Sequence, residues 1–191
     1  GGGNYLGPKS STDKRTDEQI KQANKDMVKT VVSAAIANDV YVIIDWHDHN
    51  ANAHLSEAES FFSEMSLFYK NTPNVIWEIW NEPDNVRGSA AADKNGNRAD
   101  TWAEDIKPYA EKVIAAIRKN SDNLIVVGTP KWSQDVDIAA ASPLLDTNTA
   151  YSLHFYAGTH GNYLRVKAST ALSKGVALFI TEWGTSVANG G

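Results

Sequence analysis

The 191 residues carry a net charge of −5, with no run of lysine or arginine and no cysteine. This balance argues against nucleic acid and anionic membrane as partners. It also excludes a disulfide framework and a thiolate nucleophile. No apolar stretch approaches the roughly 20 residues of a membrane-spanning helix, and the length fits one domain with a sizeable core.

Residues 1–15 are polar and glycine-rich and read as a loop. Thr16 to Asn38 follows as a helix, opened by a Thr16/Gln19 capping box. Its apolar positions Ile20, Ala23, Met27, Val31, Ala34 and Ala35 recur at helical spacing. Val40 to Asp45 is a strand that runs into Trp46-His47-Asp48-His49. Ser56 with Glu59 predicts a second capping box, opening a helix that buries Phe61, Phe62, Met65, Phe68 and Tyr69. Asn74 to Trp80 is the next strand.

Asp84 to Asp100 is polar and reads as an exposed insertion. Within it, Asp93-Lys-Asn95-Gly-Asn97 has some calcium-loop character but lacks the spacing of an EF-hand. The following helix buries Ile106, Tyr109, Val113, Ile114 and Ile117, with Pro108 tolerated only in its first turn. Asn123 to Gly128 is a strand, succeeded by a loop holding Trp132. Ala150 to Phe155 is a strand, Tyr163 to Lys174 a helix closed by Gly175, and Val176 to Ile180 the last strand. Strands alternating with helices predict a parallel sheet. The five strands are fewer than the eight of a TIM (β/α)8 barrel, so an incomplete α/β barrel is expected over residues 1–191, with open sheet edges and a tendency to associate or to be unstable.

Two strands end in a glutamate: Glu82 in Asn81-Glu-Pro83, and Glu182 in Thr181-Glu-Trp-Gly184. Carboxylates at the C-terminal ends of barrel strands stand where such folds build their active sites. A pair of them suits a retaining glycosidase, which needs one carboxyl protonated and one ionised. His154 and Tyr156, at the end of the intervening strand, are placed to hold a carboxylate's protonation state. Glu78 is a rival carboxylate, expected roughly 13 Å deeper along its strand in an ion-paired structural role. Trp132 lies in a loop and is the candidate for stacking on a sugar. Trp46, Trp77, Trp80, Trp102 and Trp183 read as core or wall.

The segments Tyr41-Val-Ile-Ile-Asp-Trp-His47, Asn81-Glu-Pro83, Gly128-Thr-Pro-Lys-Trp-Ser-Gln-Asp135, His154-Phe-Tyr-Ala-Gly-Thr-His160 and Thr181-Glu-Trp-Gly184 resemble the bacterial endoglucanases of glycoside hydrolase family five. The resemblance runs along nearly the whole chain. It implies that Glu82 is the acid/base and Glu182 the nucleophile. It further implies that His47, Asn81, His154 and Tyr156 bind glucose at the scissile subsite, and that Trp132 and His160 line the cleft. The implied reaction is retaining hydrolysis of internal β-1,4-glucosidic bonds, without metal or other cofactor, by a secreted enzyme that is monomeric once its barrel is complete. An arginine after an early strand and a tryptophan on the last strand belong to the family's pattern and have no counterpart here.

Two other readings stand beside this one. Asp45, His47, Asp48, His49 and His54 resemble the metal cluster of a barrel amidohydrolase, although His47 and His49 share a face only if the strand continues. Trp132, Tyr156 and Tyr163 would also serve a glucan-binding protein with no catalysis.

Overall fold

A computed structural model of the chain describes residues 5–6, 12–83 and 100–190. The elements run in the order α1 (Asp17–Ala37), β1 (Val42–Asp45), a 3-10 turn (Ala51–His54), α2 (Leu55–Phe68), β2 (Val75–Glu78), a π-helical turn (Trp102–Ile106) and α3 (Lys107–Arg118). Then come β3 (Ile125–Val127), a four-residue turn α4 (Pro130–Ser133), α5 (Val136–Ala141), β4 (Thr149–Ser152), β5 (Phe155–Tyr156), α6 (Asn162–Ser173), β6 (Ala177–Phe179) and β7 (Trp183–Gly184).

Five strands form one all-parallel sheet in the order β1-β2-β3-β4-β6, and β5 pairs with β7 in a short parallel sheet of its own. This is an arc of an α/β barrel. The inner strands β2 and β3 are buried at every residue, as apolar runs in a parallel sheet require. Against them pack Phe62 and Met65 of α2 and Val113 and Ile117 of α3, all fully buried together with Trp77. Each such side chain contributes about 1.5–3 kcal/mol by leaving water.

Local chemistry sets the helix ends. Thr16 Oγ1 accepts the Gln19 N–H while Gln19 Oε1 accepts the Thr16 N–H, so the expected capping box closes α1. The Ser56/Glu59 box does not form. A 3-10 turn begins the helical path at Ala51, and Ser56 already lies inside α2, past any cap. Pro108 lies in the first turn of α3, as expected. Helix α5 and the β5–β7 pair had no periodic signal, because six and two residues are too short to show one. Asp100, expected at the end of an exposed insertion, is buried and accepts a hydrogen bond from Asn52 Nδ2 at 3.2 Å. The remainder of that insertion, with the calcium-like segment Asp93–Asn97, lies outside the described residues.

Trp46, Trp77, Trp80 and Trp102 are core residues as expected, whereas Trp183 is 63% exposed. Residue 183 points away from the core and stacks on Phe155, ring centroids 6.2 Å apart. Among the described residues no helix is long and apolar enough to cross a membrane.

Candidate active site

Strands β4 and β6 break at the same level. Leu153 N–H still reaches Phe179 O at 3.0 Å, but His154 N–H turns away to Ser133 O at 2.8 Å. Pairing resumes with Phe155 opposite Trp183. The break presents His154, Thr181 and Glu182 together at the C-terminal end of the sheet, beside Glu82 just beyond β2.

There the two sequence-predicted glutamates meet. A carboxylate oxygen of Glu82, one of Glu182 and a ring nitrogen of His154 lie within 4.8 Å of one another. His154 Nδ1 is 2.9 Å from Glu82 Oε1 and 3.9 Å from Glu182 Oε2. Tyr156 donates its hydroxyl proton to Glu182 Oε1 at 2.5 Å. The two residues expected to hold a carboxylate's protonation state therefore divide the work: Tyr156 serves Glu182, and His154 serves Glu82 first. The hydrogen bond to Glu182, followed by burial, pushes the Tyr156 phenol up to about 12, so it remains a proton donor across the neutral range.

Burial raises the Glu82 carboxyl, but when the His154, His49 and His47 rings are protonated, the His154 hydrogen bond and the charges of the three rings outweigh it and hold Glu82 below the ordinary glutamate range. His49 Nε2 stands 3.7 Å from Glu82 Oε2. His47 donates through Nδ1 to Asp45 Oδ2 at 2.7 Å, and that bond raises its imidazole above the usual value. His54 pairs in the same way with Asp48 Oδ2 at 2.7 Å. These histidines thus face different carboxylates. Among the described residues the one group of three or more metal-type ligands is Glu82, His154 and Glu182. Its ring nitrogen is already hydrogen-bonded to Glu82, and no metal is assigned to it. Among the described residues Asp45, His47, Asp48, His49 and His54, on which the amidohydrolase reading rests, form no such group.

Asn81 is buried, and its Nδ2 has no hydrogen-bond partner among the described residues. Its backbone carbonyl is held by Ser133 Oγ at 2.8 Å. Ser133 belongs to a strained turn: Lys131, Trp132 and Ser133 all have φ between 54° and 60°. Three consecutive non-glycine residues in the left-handed region cost about 1–2 kcal/mol each. The turn is stabilised by its ties to Asn81 O, to His154 N–H and, through Trp132 N–H, to Pro83 O at 3.2 Å. It leaves the Trp132 side chain 43% exposed. Such strain concentrates at functional sites.

His160 Nδ1 accepts the backbone N–H of Tyr156 at 2.7 Å, so it supports the chain that carries Tyr156. Burial lowers its pKa, consistent with a neutral ring acting as acceptor. Gly128 and Gly184 are close-approach positions. A Cβ on Gly128 would lie 2.6 Å from Pro83 Cδ, and one on Gly184 would lie 2.7 Å from Tyr156 Cδ1.

Glu78 does not lie in isolation below the site. Its Oε1 is 4.0 Å from His154 Nε2, one imidazole ring from Glu82. The expected depth of roughly 13 Å is a distance along the strand; the His154 ring spans the gap between the two carboxylates, with Nδ1 2.9 Å from Glu82 Oε1. Thr181 and Ser152, which link Glu78 to His154, were absent from the residues singled out in the sequence. Their one signal was position: Ser152 stands two before His154 and Thr181 one before Glu182.

The family model for Cellulase (glycosyl hydrolase family 5) matches residues 3–191. Endoglucanase Z of Dickeya dadantii is 55% identical over 173 residues, covering 90% of this chain and 37% of that protein. A solved structure from Cytophaga hutchinsonii superposes with a TM-score of 0.79 at 47% identity, over 88% of this chain and 51% of the other. The endoglucanase Cel5A catalytic domain of Thermobifida fusca, solved in complex with cellotetraose, superposes with a TM-score of 0.75 at 32% identity, over 90% of this chain and 55% of the other. The chain spans about a third of the length of the curated relatives it matches.

Proposed function

Because the chain belongs to glycosyl hydrolase family 5, we propose that it is part of the catalytic domain of an endo-β-1,4-glucanase that cleaves internal glucosidic bonds with retention of configuration. The observation that carries this reading is the approach of Glu82 and Glu182 to within 4.8 Å. Retaining enzymes hold their carboxyl groups about 5–5.5 Å apart, whereas inverting enzymes leave about 6.5–9.5 Å for a water.

In this reading Glu82 protonates the leaving glycosidic oxygen while a carboxylate oxygen of Glu182 attacks the anomeric carbon. The product is a glycosyl-enzyme ester and a shortened glucan. Glu82, now ionised, takes a proton from water as the water attacks that carbon, and Glu182 leaves as carboxylate. Tyr156 holds Glu182 in its attacking orientation. The unpaired Asn81 Nδ2 and His47 bind sugar hydroxyls, and the exposed Trp132 stacks on a ring. His160 acts mainly through Tyr156.

The substrate is a β-1,4-glucan, as the endoglucanase names of the relatives and the cellotetraose complex suggest. Secretion, and a monomeric state once the barrel is complete, belong to the same proposal. Hydrolysis of carboxymethylcellulose by the chain, lost on Glu82→Gln and on Glu182→Gln, supports it. Turnover that survives Glu182→Gln contradicts the nucleophile. Binding of cello-oligosaccharide without any hydrolysis favours a glucan-binding role.

A further inference from the structure

Beneath the two glutamates runs a polar chain, buried at Glu78, Ser152 and His154 and half-buried at Thr181, that the double displacement does not use. Glu78 ends β2 and is 3% exposed. Thr181 Oγ1 is the hub of the chain. It lies 2.6 Å from Glu78 Oε1, 2.7 Å from Ser152 Oγ and 2.9 Å from His154 Nε2. The other nitrogen of His154, Nδ1, faces Glu82 Oε1 at 2.9 Å.

Proton counting gives this chain a direction. A hydroxyl has one proton to give and two lone pairs to accept with. Ionised Glu78 accepts only, so the Thr181 proton goes to it, the strongest acceptor in reach. The Thr181 lone pairs then accept from Ser152 and from His154 Nε2–H. A neutral imidazole carries one N–H, so Nδ1 becomes an acceptor. Only in this tautomer can Glu82 hold a proton and still hydrogen-bond to neutral His154, as Glu82 O–H to Nδ1. In the opposite tautomer Nδ1–H donates to the Glu82 carboxylate and stabilises the ionised form, the wrong state for an acid.

We propose that Glu78 is a positioning residue that acts through Thr181 to select the Nε2–H tautomer of neutral His154, the form in which Nδ1 can accept from a proton-bearing Glu82. The proposal rests on the reading of Glu82 as acid/base. The groups facing Glu78 are Asp45 across the β1–β2 register, Ser152 and His154 from the β4 side, and Thr181 after β6. Burial, followed by the negative charge of Asp45, pushes the Glu78 carboxyl up to about 7. Above that pH the relay has its full direction. Below it, a protonated Glu78 no longer requires the Thr181 proton.

The test reads the tautomer directly, without substrate. The whole 191-residue chain is labelled with 15N-histidine, and the ring nitrogens of His154 are followed by NMR above the ionisation of Glu78. The expected result is neutral His154 with its proton on Nε2 alone. In Thr181→Val, and in Glu78→Gln, whose amide presents an NH2 as readily as an oxygen, a second population with the proton on Nδ1 appears. Thr181→Ser restores the single tautomer, a rescue that a purely structural role for Thr181 does not predict. An amide fingerprint identifies a variant that fails to fold, and the other then decides. Proton on Nδ1 in the wild type, or on Nε2 alone in both folded variants, overturns the proposal. Turnover that persists in Glu82→Gln would instead remove the acid role of Glu82 and leave the tautomer result standing.

Discussion

The middle of the sheet and its two flanks are built under opposite constraints. Strands β2 and β3 carry apolar side chains at almost every position and are covered on both faces. The flanks keep apolar residues in water: Met27 and Val31 of α1, Val40 and Tyr41 before β1, Val166 and Leu172 of α6, and Ile180 and Trp183 after β6. Strand β1 is only partly buried, and β6 has an exposed residue. The difference shows that the site straddles the two regions. Glu82 and His154 follow the covered strands β2 and β4, whereas Glu182 follows the edge strand β6 between the exposed Ile180 and Trp183, and the flanks present edges that a closed barrel would cover.

That contrast can be broken from the centre outward. Trp77→Ala empties the middle of the core, where Trp77 is fully buried. It should cost about 3–5 kcal/mol, read as a lower urea midpoint. Gly184→Ala places a Cβ against the Tyr156 ring. It should separate Tyr156 from Glu182 and lower turnover by an order of magnitude or more while the melting temperature changes little. Asp146→Asn should remove a stability increment of roughly 1–2 kcal/mol. Asp146 accepts two hydrogen bonds from Arg118, which hold its carboxyl at about 2. A depressed carboxylate stabilises the fold above its unfolded value and loses that contribution as pH falls. Wild-type stability should therefore fall from about pH 4 toward about pH 2, and the Asn variant should lack that part of the fall.

Glu78 has the opposite sign. Its raised value means that its contribution is present below the unfolded glutamate range and lost as pH rises through about 7. Glu78→Gln should flatten the decline in stability over that window, as followed by thermal melts. The smallest effect belongs to the flank: Leu172→Ser, at a position 57% exposed, should stay within about 0.5 kcal/mol of wild type. A much larger loss would show that the flank is covered in solution.

The regular part of this architecture was legible because long elements carry strong period. The strands and the four long helices carry apolar periods and Thr16/Gln19 marks the start of α1, but Phe68, expected to be buried on α2, is 60% exposed, and Met27 and Val31 of α1 also face water. Glu82 and Glu182 were legible because each follows an apolar strand. The Ser56/Glu59 pair misled because capping boxes are defined by backbone geometry, and the helical path there begins five residues earlier. The left-handed turn at Lys131–Ser133 left no mark, since no glycine or asparagine announces it. Thr181 and Ser152 gain their importance from a register between strands that sequence spacing does not contain.

The proposed double displacement requires Glu82 as acid and Glu182 as nucleophile, with retention of configuration. The most direct measurement follows the anomeric proton signals by NMR as the chain hydrolyses a cello-oligosaccharide. The β-anomer should appear first, and Glu182→Gln should abolish its release. Initial release of the α-anomer, or undiminished release from Glu182→Gln, would contradict it.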